Sequence, residues 1–245
     1  MKRLSLLFAI ACATCVSALA QYMPMQKGTV LVYESKNLSE NTSETYSSTV
    51  TDVTTDDKGV IKVELLDKHN NPDSPFANLD SRNWFTFNPS DSLTVNTVMT
   101  SEQFKELMLA SMREMFAQMG QFPTAQQFAE VERMVKPKGE LKIPLPANVT
   151  EGQNFSNSSI RANIMGNATG MKINKGTYLG YEDIEVPAGT FHCLKLTFNL
   201  SEIGEGSDIR QTMWFAKCVG VVKQTLADKK GSPISEDVLQ DIKQP

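Results

Sequence analysis

Acid–base or nucleophilic chemistry in this chain would have to begin at His69 or His192, the only two histidines among 245 residues. His69 reads as part of a polar loop. His192 alternates with leucines along Phe191–Leu200. A catalytic histidine needs a nucleophile beside it and a group to orient it. No Gly-x-Ser-x-Gly, His-Glu-x-x-His or glycine-rich phosphate loop occurs anywhere in the chain. Both histidines therefore read as structural. The carboxylates Asp52, Asp56 and Asp57, and Glu202, Glu205 and Asp208, fall at turn signals, where a solvated charge is the ordinary state. Met23-Pro24-Met25 offers two soft thioethers that suit copper(I), but two methionines near a terminus do not make a ligand set. The expectation is a protein that is not an enzyme, with no metal site and no cofactor.

Methionine is the informative excess. Phe104, Leu107, Met108, Met112, Met115, Phe116 and Met119 follow the 3, 4, 3 spacing of one helix face. Ser101-Glu102-Gln103-Phe104 opens that helix, with Ser101 or Thr100 as the cap. Gly120 and Pro123 end it. A shorter helix follows from Thr124 to Met134, so the helical insert covers about 100–137. Its apolar stripe has two readings. It is core packing, or it is a deformable lid over a hydrophobic ligand, because methionine adapts to irregular partners.

The remainder reads as strand. Thr29–Tyr33 is β-branched and aromatic, and Thr42–Thr55 is long and half-exposed. Asp56-Asp57-Lys58-Gly59 turns the chain into Val60–Leu66. Trp84–Phe87 and Ser92–Val98 are short strands. After the helices, Leu141–Pro146 carries two prolines, which suit an edge. Ser158–Ile164, Thr169–Ile184, Phe191–Leu200, Ile209–Phe215 and Val219–Thr225 follow, and Ser235–Ile242 reads as helix-like. The expected class is mainly β (α+β): a curled antiparallel sheet of eight to ten strands, an open half-barrel whose concave face the helical insert covers.

The first twenty residues read as a signal peptide. Lys2 and Arg3 precede an apolar run from Leu4 to Val16, and Ala18-Leu19-Ala20 supplies the small-x-small cleavage pattern before Gln21. That run is too short for a transmembrane segment of ~20 residues. Cys12 and Cys15 each lack the large aliphatic residue a lipobox places three positions earlier. The single domain then spans 21–245. The whole chain carries a net charge of −4, and loss of Lys2 and Arg3 with the leader makes it more acidic. An acidic chain without a basic patch does not suit nucleic acid. Two cysteines remain, Cys193 and Cys218. A hairpin turning near Gly204–Gly206 sets them nearly opposite, so they form a disulfide or remain two buried thiols.

Several segments are similar to a family of uncharacterised exported proteins of Bacteroides-like bacteria, a domain of unknown function also labelled TapB-like. Gly28-Thr29-Val30-Leu31 with Tyr33 resembles its opening, and Pro144-Leu145-Pro146 with Gly152 its middle. Gly180–Lys195, containing Val186-Pro187-Ala188-Gly189-Thr190-Phe191-His192-Cys193, resembles its most distinctive segment. Trp214-Phe215-Ala216-Lys217 and Val219–Lys223 resemble its closing strands. The resemblance implies a half-barrel comparable to periplasmic lipoprotein carriers, and no activity. Against the family pattern Cys218 stands at a turn position, which favours its pairing with Cys193. Asp91-Ser92-Leu93 resembles the O-glycosylation acceptor of such exported proteins, which makes Ser92 a candidate site.

These readings converge on an exported binding protein of the periplasm or outer envelope of a Gram-negative bacterium. It would hold a lipid or acyl chain between sheet and helix. The alternative is an envelope protein-interaction scaffold with a filled core. N-terminal sequencing of protein from the envelope fraction is expected to begin at Gln21; a lipid-modified Cys12 or Cys15 would overturn that assignment.

Overall fold

The computed structural model describes residues 21–69, 81–120, 124–164, 166–203 and 208–245. The expected leader with Cys12 and Cys15, the Gly204–Gly206 turn and the helix-ending Pro123 lie outside the described residues. Twelve strands are present among those described. The first five are β1 (Val30–Asn37), β2 (Thr42–Thr55), β3 (Ile61–His69), β4 (Ser81–Asn88) and β5 (Leu93–Met99). Helices α1 (Ser101–Gln118) and α2 (Ala125–Met134) follow. Then come β6 (Lys138–Pro146), β7 (Ser158–Ile164), β8 (Asn167–Val186) and β9 (Gly189–Ile203). The chain ends with β10 (Asp208–Ala216), β11 (Gly220–Ala227) and β12 (Pro233–Lys243).

Each strand pairs antiparallel with the next, and β12 returns to pair with β1, so the sheet is a closed barrel. This corrects the expected open half-barrel. The decisive segment is Pro233–Lys243, within which Ser235–Ile242 reads from sequence as helix-like. It is a strand bonded on both sides, with Val238 opposite Lys223 of β11 and Glu34 of β1. An open sheet leaves two rows of unpaired backbone groups, and closure removes both.

Closure also relocates the helices, which do not cover a concave face. They are inserted between the end of β5 and the start of β6, two strands that pair directly with each other. Both helices carry full capping boxes. Thr100 Oγ1 accepts from Gln103 N at 3.3 Å, and Gln103 Oε1 accepts from Thr100 N at 2.9 Å. Thr124 and Gln127 repeat the arrangement at 3.3 and 2.9 Å. Two orphan donors are satisfied at each start.

The N-terminal segment plugs the opposite end. Tyr22 and Met23 are fully buried. The Gln21 carbonyl accepts from Cys218 N at 2.7 Å, and Tyr22 N donates to Thr94 Oγ1 at 3.3 Å. Around this plug the interior is solid, with Val63, Phe87, Leu145, Leu194 and Phe215 at or near zero exposure.

The outer face is charged at mid-strand. Lys195 pairs with Glu182 at 3.1 Å and Lys223 with Glu236 at 2.7 Å, and both ammonium groups lie over the Trp214 ring. A barrel embedded in lipid carries an apolar outer band instead. No helix among the described residues is long and apolar enough to cross a membrane.

One joint in the ring is thin. β6 and β7 share only the pairs Lys138–Arg161, Gly139–Ile160 and Glu140–Ser159. Gly139 has φ +96°, and a Cβ there would overlap the Ser159 carbonyl. Gly139→Ala is therefore expected to lower unfolding stability by about 2 kcal/mol or more, through a strained φ and a broken joint. Chemical denaturation checks this; an unchanged midpoint would mean the joint contributes little.

Candidate functional site

Alternation along the strands decides what faces the lumen. β3 turns Val63, Leu65, Asp67 and His69 inward, and β4 turns Asn83, Phe85 and Phe87 inward. The half of the lumen nearer the helices holds a cavity of about 260 Å³. One wall is apolar: Val98, Leu141, Ile143, Met171, Ile173 and Leu200, from β5 to β9. The facing wall, from β1 to β4 and β10 to β11, carries Tyr33, Tyr46, Ser48, Asp67, Asn83, Gln211 and Gln224. Asn96 belongs to this polar set from β5.

The polar wall is a hydrogen-bonded network. Asn83 Nδ2 donates to Asp67 Oδ2 at 2.7 Å, and the Ser48 hydroxyl also bonds Asp67. Tyr46 OH donates to Asp237 Oδ2 at 3.2 Å, Gln224 donates to the same carboxylate, and Gln211 Nε2 donates to Gln224 Oε1 at 3.0 Å. Tyr33 OH donates to the Val221 carbonyl at 2.8 Å, and its ring stacks on Tyr46 at 4.9 Å. His69 stacks on the other side of Tyr46 at 5.3 Å, with Nδ1 3.3 Å from Glu44 Oε1.

Burial governs the protonation of this wall. It pushes the Asp67 carboxyl up to about 6, while Ser48, His69 and Asn83 pull it down. Asp67 is half-buried and lines the lumen. Burial likewise holds the Tyr33 and Tyr46 phenols far above their ordinary value, so both stay neutral donors. Among the described residues, Asn96, only 5% exposed, has no hydrogen-bond partner for its buried Oδ1.

The wall contains Ser48, Asp67 and His69, the residue types of a hydrolase triad, but not its order. A triad places histidine between serine and carboxylate. Here Ser48 bonds Asp67 directly and His69 Nδ1 faces Glu44.

The residues expected to line a ligand site from the helix do not form this cavity. Phe104 is buried and Met108 packs on the core, whereas Leu107, Met112 and Phe116 are half-buried. Met115 and Met119 are 47% and 53% exposed. α1 instead holds α2, with the Arg113 guanidinium 4.3 Å from the Phe128 ring centre and Lys105 3.5 Å from Glu132.

His192 is exposed rather than aligned with the buried leucines, its Nδ1 2.7 Å from Asp183 and its ring stacked on Tyr181. Alternation changes phase where Cys193 and Leu194 are both buried.

The expected Cys193–Cys218 bridge meets a register difference. Ala216, not Cys218, lies opposite Cys193, and Cys218 sits beyond β10 in the turn with φ +62°. Cys193 is a free buried thiol whose sulfur donates to the Phe191 carbonyl at 3.5 Å, and burial pushes it up to about 12. Ser92 sits half-exposed in the β4–β5 turn with φ +54°.

Asp67, Asn83, Asn96 and Tyr46 were not singled out from sequence, and Tyr33 entered only as part of a strand and of the family resemblance. A signal existed for Asp67 and His69: they continue the inward series Val63, Leu65, two residues at a time.

Fold and site together define a closed antiparallel β-barrel with one plugged end and an amphipathic internal cavity. The chain belongs to the DUF3108-like family, which it matches over residues 26–239. No functionally curated protein matches it. Two crystal structures share the fold. A candidate lipoprotein from Parabacteroides distasonis is 19% identical with a TM-score of 0.62, covering 93% of this chain and 100% of its own. A candidate exported protein with a YmcC-like fold from Bacteroides fragilis is 16% identical with a TM-score of 0.60, covering 92% and 100%.

Asp67 makes stability depend on pH. Its folded value of about 6 lies above the ordinary 3.8. Stability linked to this group is therefore fully present below pH ~4 and is lost as pH rises through about 6. Asp67→Asn is expected to remove that loss, gaining about 2 kcal/mol over the parent at pH 7.5 and little at pH 4. Paired melts at the two pH values test it; an equal effect at both would contradict the assignment.

Proposed function

We propose that this chain is an exported, non-enzymatic binding protein that holds a small hydrophobic or amphipathic molecule inside its barrel. The observation that carries the reading is the cavity itself. A solid interior at the plugged end gives way to about 260 Å³ of lined space beside it. That volume lies just below the ~300–1,000 Å³ common among ligand pockets, which suits a small ligand. An apolar wall opposite a few converging polar groups is the usual make-up of such sites. The expected ligand position moves accordingly, from beneath the helix to the lumen.

Placement in the periplasm or outer envelope is supported by the leader-like first twenty residues. The printed descriptions of the two fold relatives, a lipoprotein and an exported protein, agree with it. A second reading, docking of an envelope protein, rests on the helical pair, where Met115, Met119 and Met134 are 47%, 53% and 54% exposed.

Leu200→Trp, which fills the cavity from the apolar wall, separates the two readings. It is expected to weaken binding of the apolar dye N-phenyl-1-naphthylamine at least tenfold while the protein melts cooperatively within a few degrees of the parent. Equal dye binding in parent and variant would reject the lumen as the site and leave the helical docking reading standing. Native mass spectrometry of envelope-purified protein adds the bound mass directly.

A further inference from the structure

A carboxyl in the wall of an otherwise uncharged, largely apolar cavity ties occupancy of that cavity to pH. Resting on the lumen-binding reading above, we propose that an uncharged apolar molecule enters the barrel together with a proton, which Asp67 takes up, so that the lumen loads in mildly acidic medium and unloads as pH rises.

Geometry carries the coupling. Alternation along β3 sets Asp67 in the lumen wall two residues past the buried Leu65. The cavity has Asp67 on one side and Ile143, Ile173 and Leu200 on the other, so one molecule filling its 260 Å³ or so meets both walls. An apolar molecule there replaces water beside the carboxyl, and desolvation favours the neutral acid over the carboxylate. The groups that steady the carboxylate do not change with occupancy. Ser48 of β2 bonds it, Asn83 Nδ2 of β4 donates to it at 2.7 Å, and His69 lies two residues along β3. All three belong to the wall itself, so what an occupant takes away is solvation. No lysine or arginine is among the described lining residues to offset that loss.

The direction of the effect identifies the group. Tyr33 of β1 and Tyr46 of β2 face Asp67 as neutral phenols, and Asp237 of β12 is held by Tyr46 and Gln224. Glu44 of β2 stands 3.3 Å from His69, while Arg82 and Glu64 pair with each other on the outer face. An occupant that favours a neutral carboxyl binds more tightly while that carboxyl is protonated. The advantage is lost as pH rises through the Asp67 value, which burial pushes up to about 6. Desolvation of His69 would give the opposite slope, because an imidazole is neutral at the higher pH. Glu44 would give the same slope as Asp67, and substitution of Asp67 separates the two.

Titration of the purified mature protein with N-phenyl-1-naphthylamine, which is uncharged across this range, at pH 5 and pH 7.5 tests the coupling. The parent is expected to bind the dye about tenfold more weakly at the higher pH, since each unit by which the occupant raises the Asp67 value is a factor of ten. Asp67→Asn keeps the side-chain shape and an oxygen that accepts from Asn83. It is expected to bind with the affinity the parent shows at pH 5, within about twofold at both pH values. Dye added to weakly buffered protein near pH 6.5 is expected to consume protons with the parent and none with Asp67→Asn. Equal or tighter binding at pH 7.5, or a pH dependence that survives in Asp67→Asn, overturns the proton coupling and leaves lumen binding intact. Dye binding that is absent from the parent, or unaltered by Leu200→Trp, overturns both.

Discussion

Backbone hydrogen bonding governs this molecule, and the β1–β12 contact is where it is resolved. A meander of twelve long strands carries many main-chain donors and acceptors, and an open edge would leave a row of them unpaired. β12 bonds both β11 and β1, so the ring is complete. The most weakly paired stretch follows the same rule. Pro144 and Pro146 supply no N–H, and β6 reaches β7 through only three residue pairs. The Tyr178 hydroxyl donates to the Pro144 carbonyl at 2.9 Å and Tyr181 to the Ala147 carbonyl at 3.2 Å. Beside them Gly152, Gln153 and Phe155 exchange main-chain bonds with Gly176 and Tyr178 of β8. Side chains and a short extended segment do there what a ladder does elsewhere.

A closed barrel has an inside, and the chain treats its two ends differently. The N-terminal Tyr22 and Met23 fill one end. Toward the other end, inward positions change from Val, Leu and Phe to Asp, Asn, Gln and Tyr on one wall. Desolvating such groups is expensive unless they bond one another. The network from Tyr46 through Asp237 to Gln211 meets that demand, while Asp67 and Asn96 meet it only in part. Partly satisfied polar groups stand there beside unfilled apolar volume.

The family and the two relatives share an architecture, and architecture alone does not carry function. What the barrel can hold therefore depends on particular side chains in the lumen. The helices, the most conspicuous feature of the sequence, supply none of the described lining residues. Their methionines are anchored only near the first half of α1, through Phe104, Met108 and Leu109.

Strand and helix identities were legible in the sequence because they follow from period and capping, which are local. The stripe at 104–119 falls on a helix with Thr100 as its cap, a second helix follows to Met134, and Val60–Leu66 falls on a strand. The end of the chain was misread because Ser235–Ile242 is polar enough to suit a short helix, and only its two neighbouring strands make it β. Closure, and with it the fate of the helix stripe, depends on pairing between residues two hundred positions apart, which no local pattern records. The same holds for the cysteines, since one bulge-free register step sets Ala216 opposite Cys193. It holds above all for the cavity. Residue types said that Asp67 and Asn96 are polar; only the curvature that turns their strands inward made them part of the lumen wall, because burial is a property of the closed surface and not of the strand.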